Sequence, residues 1–154
     1  MTGLYVPVGD YVAADGSQGP YTDGFWIDQE NVTNALFTRF VQATLYRTDA
    51  ESARWGWVWF DGPEFVRVNG ADWQHPKGPG SDIVGRDDSM VVHISWDDAT
   101  AYCKWAGRGL VTGKEWAKAA ALLAGAGIDL PAPWYGRSTM IRSNIDGFRC
   151  VAAP

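Results

Sequence analysis

Residues 94–110 read ISWDDATAYCKWAGRGL and place Cys103, one of only two cysteines in the chain, in a run with three large aromatics. Ser95 and Asp98 have the spacing of a capping box, in which each side chain satisfies a backbone amide of the other residue at a helix start. Beyond them Ala99, Tyr102, Cys103 and Ala106 share one helical face, and Gly107 supplies a stop. The run therefore reads as a helix that turns Cys103 into the core. A cysteine in that place can be a metal ligand, a nucleophile or one end of a staple.

Two more helices flank this one. In VTNALFTRFVQAT (32–44), Leu36, Phe37, Phe40 and Val41 recur at helical spacings and Thr33 can cap the first amides. In TGKEWAKAAALLAG (112–125), Thr112 and Glu115 repeat the capping spacing, and Trp116, Ala119, Ala120 and Leu123 form a buried stripe. The long stretch between the first two helices is rich in Gly, Pro and Asp. Only WGWVWF (55–60), EFVRV (64–68) and MVVHI (90–94) read there as strands. Alternation in WGWVWF sets Trp55, Trp57 and Trp59 on one face, with Gly56, Val58 and Phe60 on the other. Both faces are apolar, so the strand is expected either to be covered on both sides or to line a groove.

Composition bounds the function. A chain of 154 residues with 46% hydrophobic content is long enough for a single core, and one domain over 1–154 is expected. A net charge of -5 argues against an electrostatic grip on nucleic acid or an anionic membrane, since both need a basic face. The start of the chain lacks signal-peptide features, and the expectation is a cytoplasmic protein. Nine Trp, eighteen Gly and eight Pro point to a loop-rich domain more than a helical bundle.

Recognised catalytic motifs are absent. His75 and His93 belong to no spaced ligand set and read as structural, His93 alternating with Val92 and Ile94 in a strand. The adjacent pairs Asp87–Asp88 and Asp97–Asp98 project divergent side chains and read as solvated caps. Cys150, flanked by Phe148 and Val151, suits an apolar terminal strand. Cys103 and Cys150 are then either bridged, which would tie that strand to the core, or two unpaired buried thiols of a reducing compartment.

Five segments in order, FWIDQENVTNALFTRFVQAT (25–44), TDAE (48–51), VNGADWQHPKGPGSDI (68–83), VVHISWDDATAYCKWAG (91–107) and GFRCV (147–151), resemble the signature of the formylglycine-generating enzyme (sulfatase-modifying factor) family. The resemblance runs from about Tyr5 to Trp134 and resumes at the terminal GFRC. It implies an α+β, C-type-lectin-like fold with two to three helices and a small twisted antiparallel sheet. It also implies a structural disulfide between Cys103 and Cys150. The family's activity is oxidation of a sulfatase cysteine to formylglycine with copper(I) and dioxygen, the metal being held by two further cysteines, because soft thiolates select copper(I).

This sequence departs from that pattern. After PAPWYG (131–136) it passes almost directly to the terminal motif, so it is shortened between about 136 and 144. The block with the family's calcium loops and copper cysteines is missing. In GRGLVTGKEWAK (107–118) a Pro and two acids of the family pattern are replaced, while Thr112, Glu115 and Trp116 remain. The expectation is a non-catalytic ligand-binding or display scaffold without cofactor or metal, akin to the variable proteins of diversity-generating retroelements. Its ligand would be a protein or peptide. WYGRSTMIRSN (134–144) is the candidate display segment, with Trp134 and Tyr135 as aromatic anchors and Arg137, Arg142 and Asn144 as polar contacts, beside Trp57. The alternative is a retained copper-dependent oxidase.

Overall fold

The computed structural model describes residues 3–10, 18–19, 22–125 and 143–154. The elements, in chain order, are β1 (Gly3–Val6), β2 (Phe25–Asp28), α1 (Asn34–Thr44), α2 (Asp49–Ala53), β3 (Trp55–Trp59), β4 (Phe65–Asn69), α3 (Trp96–Trp105), β5 (Gly109–Leu110), α4 (Gly113–Gly125) and β6 (Cys150–Ala152). One antiparallel sheet has the order β1-β2-β6-β5, and β3 and β4 form a separate two-stranded hairpin. This is the α+β, C-type-lectin-like arrangement that the resemblance implies, with four helices among the described residues.

The helices begin where their caps stand. The Thr33 side chain accepts from Leu36 N, and Ser95 with Asp98 forms the full reciprocal box at the start of α3. Gly107 ends that helix with φ at 75°, a conformation that costs glycine little. Sequence reading missed α2, a single helical turn closed by a capping box between Thr48 and Glu51. At five residues it is too short for hydrophobic periodicity to show.

Two core clusters result. Phe37 and Phe40 of α1, Trp73, Tyr102 and Cys103 of α3, and Phe148 with Cys150 at the end of the chain form one. Its rings meet edge to face, Phe40 against Tyr102 at 5.5 Å and Tyr102 against Phe148 at 5.5 Å. Val6, Phe25, Ile27, Val111, Trp116, Ala119 and Val151 form the second, between α4 and the four-stranded sheet. Among the described residues no helix is long and apolar enough to cross a membrane.

Two expectations are corrected. Residues 90–94 are not a strand. Val91 N donates to Val32 O at 2.9 Å, whereas His93 N donates to Ser143 O at 2.9 Å. The backbone thus serves two different neighbours, and at His93 it turns left-handed, with φ at 58°, which an extended ladder cannot contain. His93 is fully buried, its Nε2 2.7 Å from Pro76 O, a structural role although not the strand position expected. Asp98 is likewise buried and not solvated. Its carboxylate accepts from Ser95 N at 2.9 Å, from Tyr46 Oη at 2.8 Å and from Asp49 N at 3.1 Å, joining α3 to the start of α2. Burial raises its pKa above the usual carboxylate range.

Candidate functional site

The two cysteines are bonded to each other. Cys103 and Cys150 form a disulfide with a Cα separation of 5.6 Å, and neither is exposed to solvent. It fastens α3 to β6, and the rest of the GFRC motif reinforces the joint. Phe148 fills the core and Cys150 N donates to Asp28 Oδ2 at 3.1 Å. The Asp28 carboxylate also pairs with Arg108. Arg149 Nε donates to Asn31 Oδ1 at 3.3 Å while its guanidinium lies over the Trp116 ring at 5.5 Å.

The copper(I) that the resemblance implies would need a pair of thiolates to hold it. In this chain both cysteines are consumed in one buried bond, and the sequence holds no third. The residues present do not fit the ion.

The structure does create an exposed aromatic face on the β3–β4 hairpin. Register pairs Trp55 with Asn69, Trp57 with Arg67 and Trp59 with Phe65, so these six side chains share one side. Gly56 and Val58 turn inward and are buried, while Trp57 and Trp59 remain 37% and 38% exposed. Gly56 is needed there, because a Cβ would lie 2.5 Å from His93 Nδ1. The alternation expected for WGWVWF therefore holds within the strand, with the tryptophan side partly open. Phe60, beyond the strand end, is exposed instead of continuing the inner face.

The Arg67 guanidinium sits 4.4 Å from the Trp55 ring centroid, and Trp55 meets Trp57 edge-on at 5.4 Å. The two rings are thus perpendicular, not coplanar. At one end of the row Asn69 opens onto a cleft of about 540 Å³ lined also by Arg47, Glu51, Arg54, Asp72 and Pro79. Phe65 and Arg67 escaped the sequence reading. The signal that could have found them is the hairpin itself, since alternate residues of EFVRVN must fall opposite the tryptophans.

Of the candidate contact residues, Trp57 and Asn144 come together. Asn144 N donates to Trp57 O at 3.2 Å. Its side-chain amide accepts from Trp59 N at 2.8 Å and donates to Trp59 O at 3.1 Å. The Asn144 side chain thereby mimics a third strand along the outer edge of β3. Ser143, bridged in parallel to Trp57, is held by its Oγ donating to Asp146 Oδ2 at 2.6 Å. Trp134, Tyr135, Arg137 and Arg142 lie outside the described residues. His75, on the far side of the turn after β4, places Nδ1 2.9 Å from Asp72 Oδ1 and supports that turn.

Comparison with known proteins gives one family model, described as the Sulfatase-modifying factor enzyme 1-like domain, which matches residues 6–130. A mouse protein named Formylglycine-generating enzyme is 41% identical over 111 residues, covering 61% of this chain and 30% of its own length. A Streptomyces coelicolor protein of the same name is 41% identical over 130 residues, covering 73% of this chain and 41% of its own length. A mouse protein named Inactive C-alpha-formylglycine-generating enzyme 2 is 38% identical over 136 residues, 79% of this chain and 43% of that protein. The chain thus spans 30% to 43% of the length of these relatives.

Proposed function

The chain belongs to the sulfatase-modifying factor family, and from that premise we propose that it is a non-catalytic member that binds a protein or peptide ligand. The observation carrying this reading is the Cys103–Cys150 bond, which uses every thiol in the sequence for structure. The similarity to a relative whose name declares it inactive supports the same side.

The binding surface in this proposal is the aromatic face of the hairpin. Trp57 and Trp59 supply rigid, amphipathic area, while Arg67 and the adjoining Arg47 and Arg54 supply polar specificity. Asn144 acts there chiefly by fixing the β3 edge through its two amide bonds to Trp59. Trp134, Tyr135, Arg137 and Arg142 remain candidate contact residues of a display segment, as in display proteins of the retroelement type.

The competing reading, a copper-dependent oxidase that converts a sulfatase cysteine to formylglycine, draws on the names of the relatives. One experiment separates the two. A Cys-x-Pro-x-Arg peptide is incubated with the protein, copper and a reductant and followed by mass spectrometry. The expected result is an unmodified peptide. Multiple turnovers to the aldehyde would overturn the non-catalytic reading and make Cys103 or Cys150 a metal ligand.

A further inference from the structure

The hairpin has a second unusual feature, its outer edge. Gly70 N donates to Arg54 O at 2.8 Å, which sets the phase of the ladder: the amides and carbonyls of Val66 and Val68 face β3, and those of Phe65 and Arg67 face away. The opposite edge of β3 obeys the same phase and is occupied, since Trp57 O and both backbone groups of Trp59 are bonded to Asn144. On β4 no described residue bonds the backbone of Phe65 or Arg67. This open edge is also apolar, Phe65 being 40% and Val66 49% exposed. Exposed, apolar edge strands are normally blunted or covered, because their free amides and carbonyls match one occupant best, another strand.

We propose that β4 is a self-association edge that pairs antiparallel with β4 of a second copy, about a two-fold axis through Val66. The register follows from the residues. With the axis at Val66, Phe65 of each copy faces Arg67 of the other, and the two outward-pointing residues exchange four N–H···O bonds. The guanidinium then lies beside the partner ring, repeating between copies the contact that Arg67 already makes with Trp55. Val66 meets its own copy on the opposite face. An axis at Arg67 would set two like charges directly opposite each other. An axis at Val68 meets the loop at Gly78, whose backbone leaves no room for even a Cβ beside Val68. An axis at Phe65 would set Pro63, which has no N–H, opposite Arg67 and lose two of the four bonds, so the Val66 register keeps the most hydrogen bonds without a like-charge pair. The two-fold operation makes it isologous and closed, so it ends at a dimer. This inference does not rest on the peptide assay above, although Arg67 belongs both to the dimer edge and to the proposed ligand face.

In the proposed register Val66 and its copy are a non-hydrogen-bonded pair, with Cα atoms about 4.5 Å apart, within reach of a disulfide. The native cysteines are buried in their own bond, so Val66→Cys supplies the sole accessible thiol pair. Val84→Cys, at an 84% exposed site, is the control. Mild oxidation at about 10 µM should cross-link Val66→Cys at least about tenfold faster than Val84→Cys. In parallel, sedimentation of the unmodified chain from about 5 to 500 µM should show its mass rising from monomer towards dimer, and Val66→Lys, with its circular dichroism unchanged, should stay monomeric. Equal cross-linking rates, or a chain that is monomeric at the highest concentration, overturn the proposal and leave the edge to a strand from a different protein.

Discussion

Replacing Cys103 and Cys150 together with alanine releases a cross-link that spans 47 residues. The chain-entropy relation assigns a loop of that length about 4 kcal/mol of stabilisation at room temperature. Both sites are fully buried, so each lost sulfur also removes packing. Set against the roughly 5–15 kcal/mol that holds a domain together, the combined loss is a large fraction of the whole. Urea unfolding of the oxidised protein and of the double variant measures it. With a slope of about 2 kcal/mol per molar, the midpoint should fall by about 2 M. A loss under about 1 kcal/mol would refute the reasoning. It would mean that the core position of Phe148 and the Cys150–Asp28 hydrogen bond hold the terminal strand without the bridge.

Two further predictions test the packing around the site. Gly56→Ala should destabilise the fold by about 1–3 kcal/mol, because its Cβ would meet the buried His93 ring and Ala71 O at 3.2 Å; a melting curve matching the unaltered chain would contradict this. Asp98→Asn should cost about 1–3 kcal/mol, because one of the two oxygens that accept from Ser95 N and from Tyr46 and Asp49 N becomes a donor NH2. Because the folded pKa of Asp98 is raised, its titration favours the fold most below the ordinary carboxylate range, and that contribution is lost as pH rises through the raised value. The stability gap between the native chain and Asp98→Asn should therefore narrow with rising pH, and a gap that widens would reverse the argument.

How much was legible in the sequence varies by element. The starts of α1, α3 and α4 could be read from Thr33, Ser95 with Asp98, and Thr112 with Glu115, since a cap acts over three or four residues. The inward face of α3 and the alternation of β3 are set by helical and strand periods and are equally local. The pairing of Cys103 with Cys150 came from the family resemblance, the residues alone leaving it open. The tertiary structure decided what depends on distant neighbours. MVVHI has the composition of a strand, yet His93 turns left-handed because Val32 claims Val91 while Ser143 claims His93. Asp98 looks like a surface cap until Tyr46 and Asp49 arrive to bury it. The tryptophans of β3 face solvent because Gly56 and Val58 point at the interior, and β4 then completes an aromatic side that neither strand specifies by itself. Local patterns state which side of an element is apolar; only the packed chain determines which apolar side is left uncovered.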